Sequence, residues 1–153
     1  MRIQRLALAV VLALSMVFGA SQVFAAEKLD FILNWIAGGD HAPYYYAQQQ
    51  GWYQDVGIEL DIQQGKGSSM SAQRTGIGKN QVGLADLGTA LVAKGKGADL
   101  VAVMNVYANS PYGMYWRKDS GIAGPKDLVG RKIGNPSWDA ARLMWPALAK
   151  RVG

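Results

Sequence analysis

The chain has 153 residues, a formal net charge of +5, half of its residues hydrophobic, a single histidine and no cysteine. So small a basic excess, with no cationic run longer than a pair such as Arg117-Lys118, excludes an extended nucleic-acid-binding surface. Without cysteine there is no disulfide framework or thiolate metal site, and one histidine alone makes a poor metal centre, so no metal and no cofactor are expected.

The first five residues, MRIQR, carry two arginines and no acid, and the apolar run LALAVVLALSMVFG follows. Val23 and Ala25 then place small side chains at the two positions read by a signal peptidase. This is the three-part pattern of a secretory leader, too short and too abruptly ended for a membrane anchor, with cleavage expected after Ala25. Its removal leaves 128 residues with a charge of +3, enough for one modest domain with a real core. With no cysteine for lipid attachment at the cleavage site, the expected product is a free, monomeric protein of the periplasm.

The remainder alternates between two periodicities. Leu29 to Asn34 reads as a strand, and Asp40-His41-Ala42-Pro43 as a helix start, with Asp40 a candidate cap and Pro43 tolerated in the first turn. That helix runs through three tyrosines and three glutamines to Gly51, with Trp52 and Tyr53 behind it as core plugs. Ile58-Glu59-Leu60-Asp61-Ile62 alternates as a half-buried strand, and after Gly65-Lys66-Gly67 either Ser68 or Ser69 caps a helix reaching about Gly76. Val82 to Ala85 is a short strand, Asp86 caps a helix through Val92 and Ala93, and the unbroken apolar run Leu100 to Val106 reads as a buried strand.

Tyr112 to Arg117 reads as a further strand, with Tyr115 and Trp116 in the core. Lys126 to Gly130 reads as a short helical turn and Arg131 to Gly134 as another strand. The last helix, capped by Ser137 or Asp139, carries Ala141, Met144, Trp145 and Leu148 on one face, with Pro146 expected to kink it. Strands alternating with helices in this way predict an α/β fold with a mostly parallel sheet flanked by helices. A strand should follow the last helix and none does before Gly153, so the chain reads as truncated.

Three stretches, LDFILNWIAGGDHAPYYYAQQQGWYQDVGIELDIQQGKGS, QVGLADLGTALVAKGKGADLVAVMNVY and KDLVGRKIG, resemble the periplasmic substrate-binding proteins of ABC importers. The nearest branch is the one holding nitrate, sulfonate and taurine binders together with binders of thiamine pyrimidine precursors. The likeness runs in one register from about Lys28 to Gly153. It implies a periplasmic-binding-protein-like (type II) architecture of two lobes closing on a cleft, and about twice this length. On that template residues 26–120 form the first lobe, and 121–153 form the hinge region and the incomplete start of a second.

Several residues then stand out. Trp35 follows the first strand at its carboxyl end, where open α/β sheets bind ligands, and its indole can stack on a planar solute or pack under the loop Ile36 to Asp40. His41 can donate to a ligand or serve the helix start, and Tyr44 is the tyrosine nearest the cleft. Ser68 and Ser69 offer hydroxyls and free amides at a glycine-flanked helix start, or an ordinary turn. Asp86 either pairs with an amino group of the solute or caps its own helix. Asn105, Tyr107 and Asn109 lie at the cleft edge, and Asn135 and Trp138 take that part for the second lobe.

The resemblance implies a solute-binding component that captures a small polar ring compound, such as a thiamine pyrimidine precursor, for a membrane permease. Nitrate, taurine or an alkanesulfonate is the alternative, although only Lys66 is placed to meet an anion. The same family contains a eukaryotic pyrimidine-synthesis enzyme. Its pattern calls for a histidine in the segment matching Leu87 to Ala90, where Gly88 and Thr89 stand here, and for a cysteine-rich motif that falls beyond Gly153. A binding protein, not an enzyme, is therefore expected, with a sensor of the same fold as a further option.

Overall fold

The computed structural model describes residues 25–153, and the expected leader lies outside the described residues apart from Ala25. Three parallel strands form one sheet in the order β2-β1-β3: β1 Glu27–Ile32, β2 Ile58–Gln63 and β3 Val82–Gly83. Glu27 pairs with Ile58 and Ile32 with Gln63 on one side of β1, while Phe31 and Ile32 pair with Val82 and Gly83 on the other. β1 is central, which is why its end reads as an unbroken apolar run: Phe31, Ile32 and Leu33 are all buried, with neighbours on both faces. β2 is an edge strand, and it keeps its acids Glu59 and Asp61 in water while Ile58, Leu60 and Ile62 turn inward.

Helices cross between the strands. α1 (Ala42–Gln49) and the single turn α2 (Trp52–Asp55) lie between β1 and β2, α3 (Ser68–Gly76) between β2 and β3, and α4 (Leu87–Gly95) follows β3. α1 is tied to the sheet by Tyr44, whose ring meets Phe31 edge-on at 5.0 Å, and by Gln48, whose amide donates to the Leu60 carbonyl at 2.7 Å. α5 (Ala140–Val152) starts with the buried Ala140 and packs on α4, with Met144 against Gly88. Pro146 sits inside α5, where its missing N–H leaves the Arg142 carbonyl without the usual helical donor.

Several expectations are corrected. Asp40 does not cap α1; it lies inside a 3-10 turn, Gly39–His41, and His41 occupies the cap position without a side-chain bond. Neither Ser68 nor Ser69 caps α3, because Gly67 does so, with φ +136°. Leu100 to Val106, Tyr112 to Arg117 and Arg131 to Gly134 form no strands. A strand exists only through a ladder partner, and none of these segments has one among the described residues, so Val101, Val103 and Tyr115 are 79, 87 and 92% exposed. Trp52 is more than half exposed beside Tyr46 and does not plug the core. The turn expected at Lys126 to Gly130 is a 3-10 turn over Pro125–Leu128. Among the described residues no helix is long and apolar enough to cross a membrane.

Candidate functional site

An open cleft of about 590 Å³ lies past the carboxyl ends of the strands, where the helix starts of a parallel α/β sheet converge. One wall is the turn from Asn34 to His41, directly after β1. Gly67 and Ser68 at the start of α3 also line the cleft, together with Tyr107, Pro111, Tyr112, Asp139 and Ala140.

Two close approaches hold these pieces together. The Gly65 amide donates to the Trp35 carbonyl at 3.1 Å, and a Cβ on Gly65 would collide with the Leu33 carbonyl, so this glycine lets the loops after β1 and β2 touch. Gly67 likewise lies against the Trp138 backbone carbonyl, which accepts from the Ser69 amide at 3.4 Å.

The turn from Asn34 to His41 is organised around a buried imidazole, only 1% exposed. His41 reaches back so that its Nδ1 accepts from the Gly38 amide at 3.1 Å, the reciprocal half of a capping box. Its Nε2 meets Asn34 Oδ1 at 2.8 Å, and the Asp40 carboxylate lies 3.3 Å from Nδ1. Both ring nitrogens are thus engaged within the protein.

Ser68 is 2% exposed and its hydroxyl accepts from the Asp86 amide at 3.0 Å, tying the start of α3 to the start of α4. The Tyr112 phenol sits beside this hydroxyl. Partial burial pushes its pKa above the ordinary value and the carboxylates of Asp86 and Asp139 push the same way, while the Ser68 hydrogen bond pulls it back. The phenol is therefore a neutral donor at physiological pH. Tyr44 behaves similarly: burial comes first, then the neighbouring Tyr107, Tyr53 and Asp40.

Trp35, His41, Ser68 and Tyr107 of the sequence-predicted set come together in the cleft lining. Asp86 stands just behind it and caps α4, its Oδ1 accepting from the Thr89 amide at 2.9 Å and from the Thr89 hydroxyl at 3.1 Å. Tyr44 packs on Phe31, and Ser69 turns its amide to Trp138. Asn105 is exposed and does not line the cleft, nor do Asn135 and Trp138, whose indole is nearly half exposed. Asn34, Pro111, Tyr112 and Asp139 line it without having been singled out for it. Asn34 was findable as the second residue beyond β1, whereas Tyr112 was hidden by its reading as a strand residue. Among the described residues no arginine or lysine lines the cleft, and the nearby charges are the carboxylates of Asp40 and Asp139. Among the described residues no group of three histidines, cysteines or acids is placed to hold a metal ion.

The capping role of Asp86 has a direct test. Asp86→Ala should lower stability by about 1 kcal/mol, and Asp86→Asn, which keeps the accepting oxygen, should recover most of that in thermal unfolding.

A family model described as NMT1/THI5 like matches residues 39–153. Similar curated proteins include the 4-amino-5-hydroxymethyl-2-methylpyrimidine phosphate synthases of Legionella pneumophila (29% identical), Schizosaccharomyces pombe (32%) and Saccharomyces cerevisiae (30%). The aligned region covers 71–72% of this chain and 32–34% of those proteins, so the chain spans about a third of their length. The resemblance is borne out at the level of the NMT1/THI5-like family and of the periplasmic-binding-protein-like α/β class, without the importer role. The expectation that the protein is not an enzyme is corrected, because these relatives are named for a synthesis.

Proposed function

Because the chain belongs to the NMT1/THI5-like family, we propose that it forms one side of a cleft holding a planar aminopyrimidine-type compound, in a protein engaged in pyrimidine phosphate synthesis. The observation that carries this reading is the cleft itself. Trp35, Tyr107 and Tyr112 bring three aromatic residues to its lining. Neutral donors and acidic groups line the walls, with no lysine or arginine among the described residues there, a set that suits a ring with an amino substituent better than a sulfonate or nitrate. The relatives' names supply the reaction class.

A second reading keeps the ligand and changes the role: capture of the same ring in the periplasm for delivery to an ABC permease. The specific observation behind it is the leader-like pattern of Met1 to Ala25. Genetic complementation separates the two. In a bacterium unable to make the pyrimidine, expression of the intact gene should restore growth on medium lacking it. Growth only when traces of the pyrimidine are supplied would favour capture, and no rescue under either condition would contradict both readings.

A further inference from the structure

We propose that His41 is a proton-operated latch for the turn that leads into α1. Gain of a proton exchanges the partner of its Nδ1, from the Gly38 amide to the Asp40 carboxylate, and loosens the turn. The device is independent of what the cleft binds.

Two neighbours of Nδ1 make opposite demands on it. The Gly38 N–H lies 3.1 Å away and needs a lone pair to receive it. Asp40 Oδ1 lies 3.3 Å away and brings a lone pair of its own, which only a proton on Nδ1 can satisfy. In the neutral ring that keeps the Gly38 bond the proton sits on Nε2, directed at Asn34 Oδ1 over 2.8 Å. A second proton must land on Nδ1. It then faces the Gly38 N–H, hydrogen against hydrogen, and that bond is lost. The same proton turns the carboxylate from a repelling neighbour into a charge-assisted acceptor, a stronger partner than the one given up. Nε2 stays on Asn34 in both forms, so one edge of the ring is held while the other changes partner.

Burial gives the exchange its consequence. The ring is 1% exposed, so water cannot replace the lost bond at Nδ1. The Asp40 side chain is half in solvent and can follow Nδ1 with little desolvation. The two partners already crowd one point, since Asp40 Oδ1 would stand 2.9 Å from a Cβ on Gly38. Residues 36–40 are exposed, and the bond to Nδ1 is half of the capping box that closes the 3-10 turn Gly39–His41. Ala37, Gly38 and Asp40 line the cleft, so its lining changes with the proton.

The other titratable groups on elements bordering the cleft are the Asp139 carboxylate, engaged as the cap of α5, and the phenols of Tyr44, Tyr107 and Tyr112. Burial pushes Tyr44 and Tyr112 further above the range in which imidazole titrates. Among the described residues no lysine or arginine lines the cleft to oppose a charge on the ring.

NMR of the intact protein from about pH 8 to about pH 5, the range in which imidazole ordinarily gains its proton, tests the latch. The ring nitrogens of His41 report the proton, and the nitrogen–nitrogen coupling across the Gly38 N–H···Nδ1 bond reports the partner. The coupling should be present at the alkaline end and vanish as the second proton arrives. Protection of the Gly38 amide against hydrogen exchange, taken relative to its intrinsic rate, should fall about tenfold or more at the same midpoint. In Asp40→Asn the Gly38 bond should survive to lower pH than in the parent, whereas Asp139→Asn, which keeps the cap, should leave the transition in place. In His41→Gln the protection of Gly38 should no longer depend on pH. A ring that gains its second proton while the Gly38 coupling persists would overturn the proposal, as would a ring still neutral at about pH 5. So would a parental transition in Asp40→Asn, since the carboxylate would then take no part.

Discussion

Trp35→Ala should weaken binding of an aminopyrimidine ring about 30-fold, equivalent to about 2 kcal/mol. The indole lies at the end of the central strand, where the carbonyl of Trp35 is pinned by the Gly65 amide. That pin fixes the backbone from which the ring projects, which lowers the ordering cost of that segment on binding. Trp35→Phe should keep much of the affinity, because a smaller ring still stacks. Trp52→Ala is the control: Trp52 is more than half exposed and does not line the cleft, so its removal should leave affinity unchanged. Isothermal titration of the three variants against the parent checks the whole set.

Gly67→Ala should cost about 3 kcal/mol and lower the thermal midpoint by about 10 °C. Two effects combine at this position. The φ of +136° lies where an L side chain is strained, and a Cβ would run into the Trp138 backbone carbonyl. Relief requires the 136–140 segment to move away from the start of α3, which separates two parts of the cleft lining. Gly78→Ala separates the two effects, since Gly78 has φ +75° and nothing within 4 Å of the added carbon. Strain alone should cost about 1 kcal/mol there. Equal thermal midpoints for the two variants would show that the Trp138 contact contributes nothing.

The parts of this fold that were legible in the sequence are those fixed by near neighbours. The alternation of Ile58 to Ile62 marks an edge strand because each residue's environment depends on a single sheet face. Asp86 and Asp139 announce helix starts because their partners, the amides of Thr89 and Ala141, are two or three residues away. Ser68 misleads for the opposite reason. Its hydroxyl looks like a local cap, yet it serves the amide of Asp86, eighteen residues on, and only the tertiary fold brings that amide near. His41 carries a similar lesson, since nothing in its neighbours says that Gly38 and Asn34 will enclose it. The run Leu100 to Val106 has the composition of a strand buried on both faces, but burial is a property of its surroundings, and here the run is exposed. The reaction class was less legible still. The expectation of a non-enzyme leaned on the leader-like start and on the missing histidine near Gly88, while the similar proteins are named as synthases.

The most direct test is calorimetric titration of the intact protein with 4-amino-5-hydroxymethyl-2-methylpyrimidine, taurine and nitrate under one set of conditions. Saturable binding of the pyrimidine, with no measurable heat from taurine or nitrate, is the expected result for a cleft lined by Trp35, Tyr107 and Tyr112 and, among the described residues, by no lysine or arginine. Saturable binding of taurine or nitrate with none of the pyrimidine would contradict it.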